Sequence, residues 1–144
     1  MAIQVEIGDP NLNLDTFFPG FVLVHLDYPS RRESGCTVYR KSKPIPAVLW
    51  PFMQAREVGY DEIVTRQEGK MTCTSDVNAG IARASVTTTY ETTPEGGLRI
   101  VGHIQLSEIP IPLVRPLISR VIREEFLKLR EQEMEAARQL MRRI

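Results

Sequence analysis

Polar and apolar residues alternate along residues 2–7, the pattern of a short half-buried strand. Residues 8–14 carry Asp9, Pro10, Asn11 and Asn13 and read as a turn-rich segment. Residues 21–26 are apolar and rich in β-formers, which predicts a second strand, and residues 28–35 form a polar loop with Pro29, Arg31 and Arg32. Alternation returns over residues 35–41, with Cys36, Val38 and Arg40 on one face and Thr37, Tyr39 and Lys41 on the other. Two further runs, 58–66 and 70–77, are joined by Gln67, Glu68 and Gly69, a hairpin connection. Residues 82–91 and 98–106 follow, separated by the turn Thr93-Pro94-Glu95-Gly96-Gly97. Hairpins in succession with short turns predict an antiparallel meander.

The last third changes period. Pro110, Pro112 and Pro116 mark a loop and then a helix start, because proline is tolerated in a first turn. Beyond them an apolar stripe runs at three- and four-residue spacing through Val114, Leu117, Ile118, Val121, Ile122, Phe126, Leu129, Met134, Ala137, Leu140, Met141 and Ile144. Arg123, Glu124, Lys128, Arg130, Glu131, Glu135, Arg138 and Arg142 are assigned to the other side. A helix from about residue 117 to the end spans about 40 Å at 1.5 Å per residue, enough to cover the open face of the sheet. The fold class expected is therefore α+β: a curved antiparallel meander closed by one long C-terminal amphipathic helix.

One apolar segment fits neither period. Residues 44–52 contain three prolines, so a regular strand is excluded, yet Ile45, Val48, Leu49, Trp50 and Phe52 are large and apolar. A short helical turn or apolar loop is expected there. It serves either as a core plug or as a lid and membrane-contact loop.

Composition narrows the function classes. The 144 residues fit one domain, 1–144, and 42% hydrophobic content supplies one core. Lys+Arg and Asp+Glu are equal at 18, which argues against a nucleic-acid binder driven by bulk charge. The N-terminus has no basic segment followed by an apolar core, and no stretch approaches a membrane span. A soluble intracellular protein is therefore expected, its compartment open. Cys36 and Cys73 are too few for a disulfide scaffold and read as reduced packing residues. His25 and His103 lie in no metal-ligand or nucleophile spacing, so no metal and no cofactor is expected. Asp61 and Glu62 are adjacent on a strand and point to opposite faces, so they are no catalytic pair. Tyr39, Tyr60 and Tyr90 are placed to pack or to donate into a cavity. Enzyme activity thus has no positive support, and no catalytic residue is assigned. Arg40, Lys41 and Lys43 precede the apolar segment. They read either as a solvated edge or as an anion site beside a cavity, with only one of Arg40 and Lys41 facing inward.

The run from Thr37 through Phe52, TVYRKSKPIPAVLWPF, resembles the segment of PRELI-like lipid-transfer proteins in which a basic strand end leads into a proline-bearing apolar loop. The order of Tyr60 and Glu62, Met71, Asn78 and Tyr90, and the long last helix with Phe126 near its middle, are similar to that family as well. The likeness covers residues 36–144 and places the chain within the wider START-like, or SRPBCC, helix-grip superfamily. It implies a phospholipid or other hydrophobic ligand in a cavity under the helix, transient contact with a membrane, and exchange of lipid between membranes. Lys41 stands at the family's head-group position, with Arg40 and Lys43 beside it, and residues 45–52 at its lid. A cavity built this way is lined by Tyr60, Val86, Tyr90, Ile118, Ile122 and Phe126. If the resemblance extends to function, the mitochondrial intermembrane space becomes a candidate compartment. The chain departs from the family in two places. Only residues 8–20 stand where the family has a substantial helix between its first strands, and Glu125 stands before Phe126 where the family tends to have a basic residue. Two other classes stay open from the sequence: an enzyme of the same fold, of cyclase or hydrolase type, and a protein-interaction module that uses the long helix. The protein partner is unassigned.

Overall fold

A computed structural model describes residues 1–52, 55–80, 82–107 and 115–143. The chain runs β1 (Ala2–Asp9), α1 (Leu14–His25), β2 (Ser30–Glu33), β3 (Cys36–Pro44), a 3-10 turn (Ala47–Phe52), β4 (Glu57–Gln67), β5 (Lys70–Asn78), β6 (Arg83–Thr92), β7 (Leu98–Ser107) and α2 (Arg115–Arg142). The seven strands form one open antiparallel sheet in the order β1-β7-β6-β5-β4-β3-β2. The first strand returns to the far edge beside the last, and the rest is a meander. Of the expected helix region, Pro110, Pro112, Val114 and Ile144 lie outside the described residues.

The strand registers keep one set of side chains on one face across the whole sheet. Glu62 pairs with Ser75, Ser75 with Val86, Val86 with Ile104 and Ile104 with Ile3. The row beside it runs Val64, Cys73, Thr88, Gly102 and Val5. Because side chains alternate along each strand, this face also holds Lys41 and Lys43, while Arg40 points the other way.

Two elements correct the sequence reading. Residues 21–26 are not a strand: they end helix α1, which begins at Leu14. A capping box starts it. The Asn13 side chain accepts from the Thr16 N–H at 2.9 Å, and the Thr16 hydroxyl oxygen accepts from the Asn13 N–H at 2.9 Å. Leu14, Phe17, Phe21 and His25 then fall on one buried face at helical spacing, which outweighs the β-propensity of the run and the proline at position 19. A helix therefore lies between the first two strands. Residues 30–33 are not loop but an exposed strand joined to β3 by Ser34 and Gly35, both with positive φ (42° and 81°), the geometry of a tight primed hairpin turn.

Helix α2, 28 residues and about 42 Å long at 1.5 Å per residue, lies across the inner face. It crosses α1 where Gly20 meets Ala137: a Cβ at Gly20 would stand 2.4 Å from the Ala137 backbone nitrogen. Its buried positions are Ile118, Val121, Phe126, Arg130, Glu133, Met134 and Ala137. Arg130, assigned from the sequence to the solvated side, thus sits within the buried stripe together with Glu133. Arg138 fastens the helix to β1 through Asp9 at 2.8 Å. The core formed by α1, α2 and the sheet centres on Phe17, Phe21, Met71, Tyr90, Ile100 and Met134, each with no exposed surface.

Candidate functional site

Between the inner face of the sheet and the N-terminal half of α2 lies a cavity of about 460 Å³. Its walls are apolar: Ile45 and Leu49 from the segment before β4, Val58 from β4, Val77 from β5, Ala84 and Val86 from β6, Ile104 and Leu106 from β7, and Ile118, Val121, Ile122, Phe126 and Leu129 from α2. Polar side chains also line it, among them Lys41, Lys43, Tyr60, Glu62, Ser75, Arg83, Thr88, Glu125, Lys128 and Arg130.

Three of these polar groups, Lys41, Glu62 and Arg130, belong to a buried network. His25 is the last residue of α1, and its Nδ1 lies 2.8 Å from the Phe21 carbonyl one turn earlier. A carbonyl only accepts, so Nδ1 carries the hydrogen and Nε2 is left as an acceptor. Nε2 faces the Lys41 Nζ at 2.8 Å, and the ammonium donates there and to Glu62 Oε2 at 3.1 Å. The Tyr28 ring covers the same ammonium at 5.1 Å from its centroid. The other Glu62 oxygen, Oε1, has no hydrogen-bond donor among the described residues, although Nε2 of His25 is 3.4 Å away. On α2, Glu133 Oε1 accepts from the Tyr90 hydroxyl at 3.0 Å, and its Oε2 is unbonded among the described residues. Arg130 Nε is 2.8 Å from Glu133 Oε1, yet its N–H is not aligned with that oxygen. The two are an ion pair without a hydrogen bond. The guanidinium is held between rings, 5.1 Å from Phe126 and 5.8 Å from Tyr90.

Burial and charge set the protonation states. Burial works against ionisation of Glu62, but its neighbours, the Lys41 and Arg130 cations among them, outweigh it and hold the carboxyl down at about 2. For Glu133 burial prevails over the attraction of Arg130, and its carboxyl is raised above the ordinary value. Burial also pushes up the Tyr60 and Tyr90 hydroxyls and the Cys73 thiol, so all three keep their protons. Burial disfavours the Arg130 cation, but Glu133 and the other neighbours reverse that and keep it charged. A protonated, buried Cys73 is a poor nucleophile. Among the described residues no group of three or more His, Cys, Asp and Glu could hold a metal ion.

The residues singled out from the sequence divide as follows. Lys41, Lys43, Ile45, Leu49, Tyr60, Val86, Ile118, Ile122 and Phe126 meet at the cavity. Arg40 does not: it lies on the opposite face, 3.5 Å from Asp61, because successive strand residues alternate sides. Tyr90 does not line the cavity either. It is completely buried, stacked on Phe17 at 5.3 Å, and spends its hydroxyl on Glu133. Lys41 reaches the cavity with its charge already compensated by Glu62 and only 4% exposed. Lys43, nearer the rim, bonds the Tyr28 hydroxyl. In the 3-10 turn Leu49 points inward, whereas Val48 and Trp50 are 49% and 41% exposed. The indole N–H of Trp50 is tied to the Ile45 carbonyl at 2.7 Å, and Arg56 lies over its ring. Phe52 packs, half-buried, against the core.

Sequence reasoning missed His25, Glu133 and the inward placement of Arg130. The signal for Arg130 was present: Phe126, Arg130 and Met134 are spaced by four, so an arginine occupies a position of the apolar stripe.

No family model and no curated protein matches the sequence. Solved structures do. The crystal structure of TTHA0849 from Thermus thermophilus is 18% identical over 95% of this chain and 97% of that one, with a TM-score of 0.64. A conserved protein from Geobacillus kaustophilus is 10% identical over 95% and 94%, with a TM-score of 0.53. At these identities the likeness concerns the fold. An open seven-stranded antiparallel sheet with a long C-terminal helix is a helix-grip architecture.

Proposed function

We propose that this protein binds a hydrophobic small molecule in the cavity between the sheet and α2, and that it takes up its ligand at a membrane surface. The observation behind this reading is the cavity itself, apolar along its walls and polar at a few fixed points, the usual make-up of a small-molecule site. Its size limits the ligand. At about 460 Å³ the cavity lies within the ~300–1,000 Å³ of ordinary small-molecule pockets. That suits one acyl chain or a compact ring system. A two-chain phospholipid, the ligand implied by the PRELI-like resemblance, would leave one chain outside. Each buried methylene contributes about 0.8 kcal/mol, so a single chain supplies useful affinity before the costs of association.

The 3-10 turn supplies the membrane contact in this reading. Val48 and Trp50 expose apolar surface beside Ile45 and Leu49, which line the cavity, so the segment that touches a bilayer also walls the ligand. Among the described residues no helix is long and apolar enough to cross a membrane.

The test is uptake from vesicles containing phosphatidylcholine and decanoic acid, followed by re-isolation and native mass spectrometry. A one-to-one adduct is expected, with slower exchange between vesicles for Trp50→Ala. Absence of any adduct, together with failure to displace a fluorescent apolar probe, would sink the reading.

A further inference from the structure

We infer that the polar end of the cavity is a carboxylate site whose anchor is Arg130, so that the ligand is an apolar monocarboxylic acid bound head-first, acid inward. The inference deepens the proposed function and rests on it.

Arg130 is 5% exposed and lines the cavity. A guanidinium carries five N–H donors. Its Nε, fully out of water and 2.8 Å from Glu133 Oε1, is misaligned with that oxygen and has no hydrogen-bond partner among the described residues. Buried donors are almost always satisfied, and a buried charge without hydrogen bonds is expensive. The rings of Phe126 and Tyr90 hold the group without supplying an acceptor. An acceptor that arrives with the ligand removes the deficit.

Lys41, which the sequence pattern brought forward, is a weaker candidate. Its ammonium already donates to Glu62 and His25 and faces the Tyr28 ring. Lys43 is bonded to the Tyr28 hydroxyl.

Charge and shape select a carboxylate over other heads. Lys41 and Glu62 compensate each other, and Glu133 meets Arg130 at 2.8 Å without an aligned hydrogen bond. A ligand carboxylate supplies the aligned acceptor that Glu133 does not. A planar carboxylate fits the planar fork through two parallel hydrogen bonds. A phosphate dianion would add a second negative charge near Glu62. An alcohol would leave the fork without an anion, although it could donate to the unbonded Glu62 Oε1.

Calorimetric titration of the intact protein with decanoate, 1-decanol and decyl phosphate at neutral pH tests this. Decanoate is expected to bind at least tenfold more tightly than either of the others, and this comparison needs no variant. Arg130→Met should erase the preference by weakening decanoate while leaving 1-decanol within about twofold. Equal binding of acid and alcohol by the unaltered protein overturns the inference and leaves the cavity reading standing. Tighter binding of 1-decanol points to Glu62 Oε1 as the reader and overturns it too. So does tighter decyl phosphate, or a preference for decanoate that Lys43→Met erases, which would place the acid at the rim. Failure of all three ligands to bind removes the cavity reading, and the inference with it.

Discussion

The Lys41 ammonium donates to the Glu62 carboxylate at 3.1 Å across neighbouring strands, with their side chains only 4% and 9% exposed. Each charge is out of water and tolerable there because of the other. Removing one partner of such a pair leaves an uncompensated buried charge, which costs about 3–5 kcal/mol, whereas removing both is far milder. Lys41→Met should therefore lower the unfolding free energy by about 3 kcal/mol or more, and Lys41→Met with Glu62→Met should recover much of that loss. Urea denaturation of the two single variants and the double variant measures it. A group whose only task was to meet a ligand would give a single-variant change within about 0.5 kcal/mol.

The same pair sets an acid limit on the fold. Glu62 is held at about 2 in the folded protein against an ordinary value of 4.5. A depressed carboxyl stabilises the folded state fully above its unfolded value and loses that contribution as pH falls through the folded one. Asp9 acts in the same direction: burial opposes its ionisation, and the Asn11 N–H and Arg138 outweigh burial. Glu133, raised by burial, has the opposite sign. Its contribution is complete below the ordinary carboxyl range and is lost as pH rises through its folded value. The stability difference between the unaltered protein and Glu62→Gln should then be constant above about pH 5. Below that it should shrink by at most about 1.4 kcal/mol per pH unit. Unfolding free energies measured from pH 7 to pH 3 give the curve, and a difference that stays flat to pH 3 contradicts the assignment.

Gly20 is where the two helices touch. A Cβ there would lie 2.4 Å from the Ala137 nitrogen and 2.7 Å from its Cα, both backbone atoms that cannot step aside. Alanine gains about 1 kcal/mol of helix propensity over glycine. Forcing the helices apart costs about 1–3 kcal/mol. Gly20→Ala should therefore destabilise despite its better propensity, and adding Ala137→Gly should not rescue it, because the obstructing atoms remain. Thermal unfolding of the single and double variants decides this, and rescue would show that the Ala137 methyl was the obstacle.

The meander and the last helix were legible because each has a single period running over many residues: alternation from 58 to 106, and three- and four-residue spacing from 117 onward. Helix α1 was hidden because Phe17, Phe18, Phe21, Val22 and Val24 are strand-formers, and Pro19 and Gly20 discourage a helix. The evidence for it was the Asn13–Thr16 box and the 14, 17, 21, 25 spacing. The cavity-lining face of the sheet could be read from alternation, which also separated Lys41 from Arg40. The network at the cavity's polar end could not. His25, Lys41, Glu62 and Glu133 come from four elements brought together by tertiary packing, and no local spacing encodes that meeting. Arg130 lay between these cases: its register was readable, but a lone arginine on an apolar stripe is usually assigned to solvent.

Phe126 crosses over Gly102 in the middle of β7, and the absence of a side chain there lets the ring lie against the strand. A Cβ at Gly102 would stand 2.4 Å from Phe126 Cε2 and from Cζ. Here the obstacle is the far end of a side chain, so the ring can turn instead of the backbone moving, and the cavity it lines is the space available to it. Gly102→Ala should therefore cost about 1 kcal/mol in stability, at the low end of overpacking. It should weaken ligand binding more noticeably, by about tenfold, the effect of one group too many in an apolar pocket. Gly102→Ala with Phe126→Leu should restore binding, since the smaller side chain returns the volume taken by the methyl group. Decanoate titration of the single and double variants, beside their melting temperatures, separates loss of cavity from loss of fold. Unchanged affinity in Gly102→Ala would mean that the ring turns away from the cavity, and that the ligand does not occupy the space beneath Phe126.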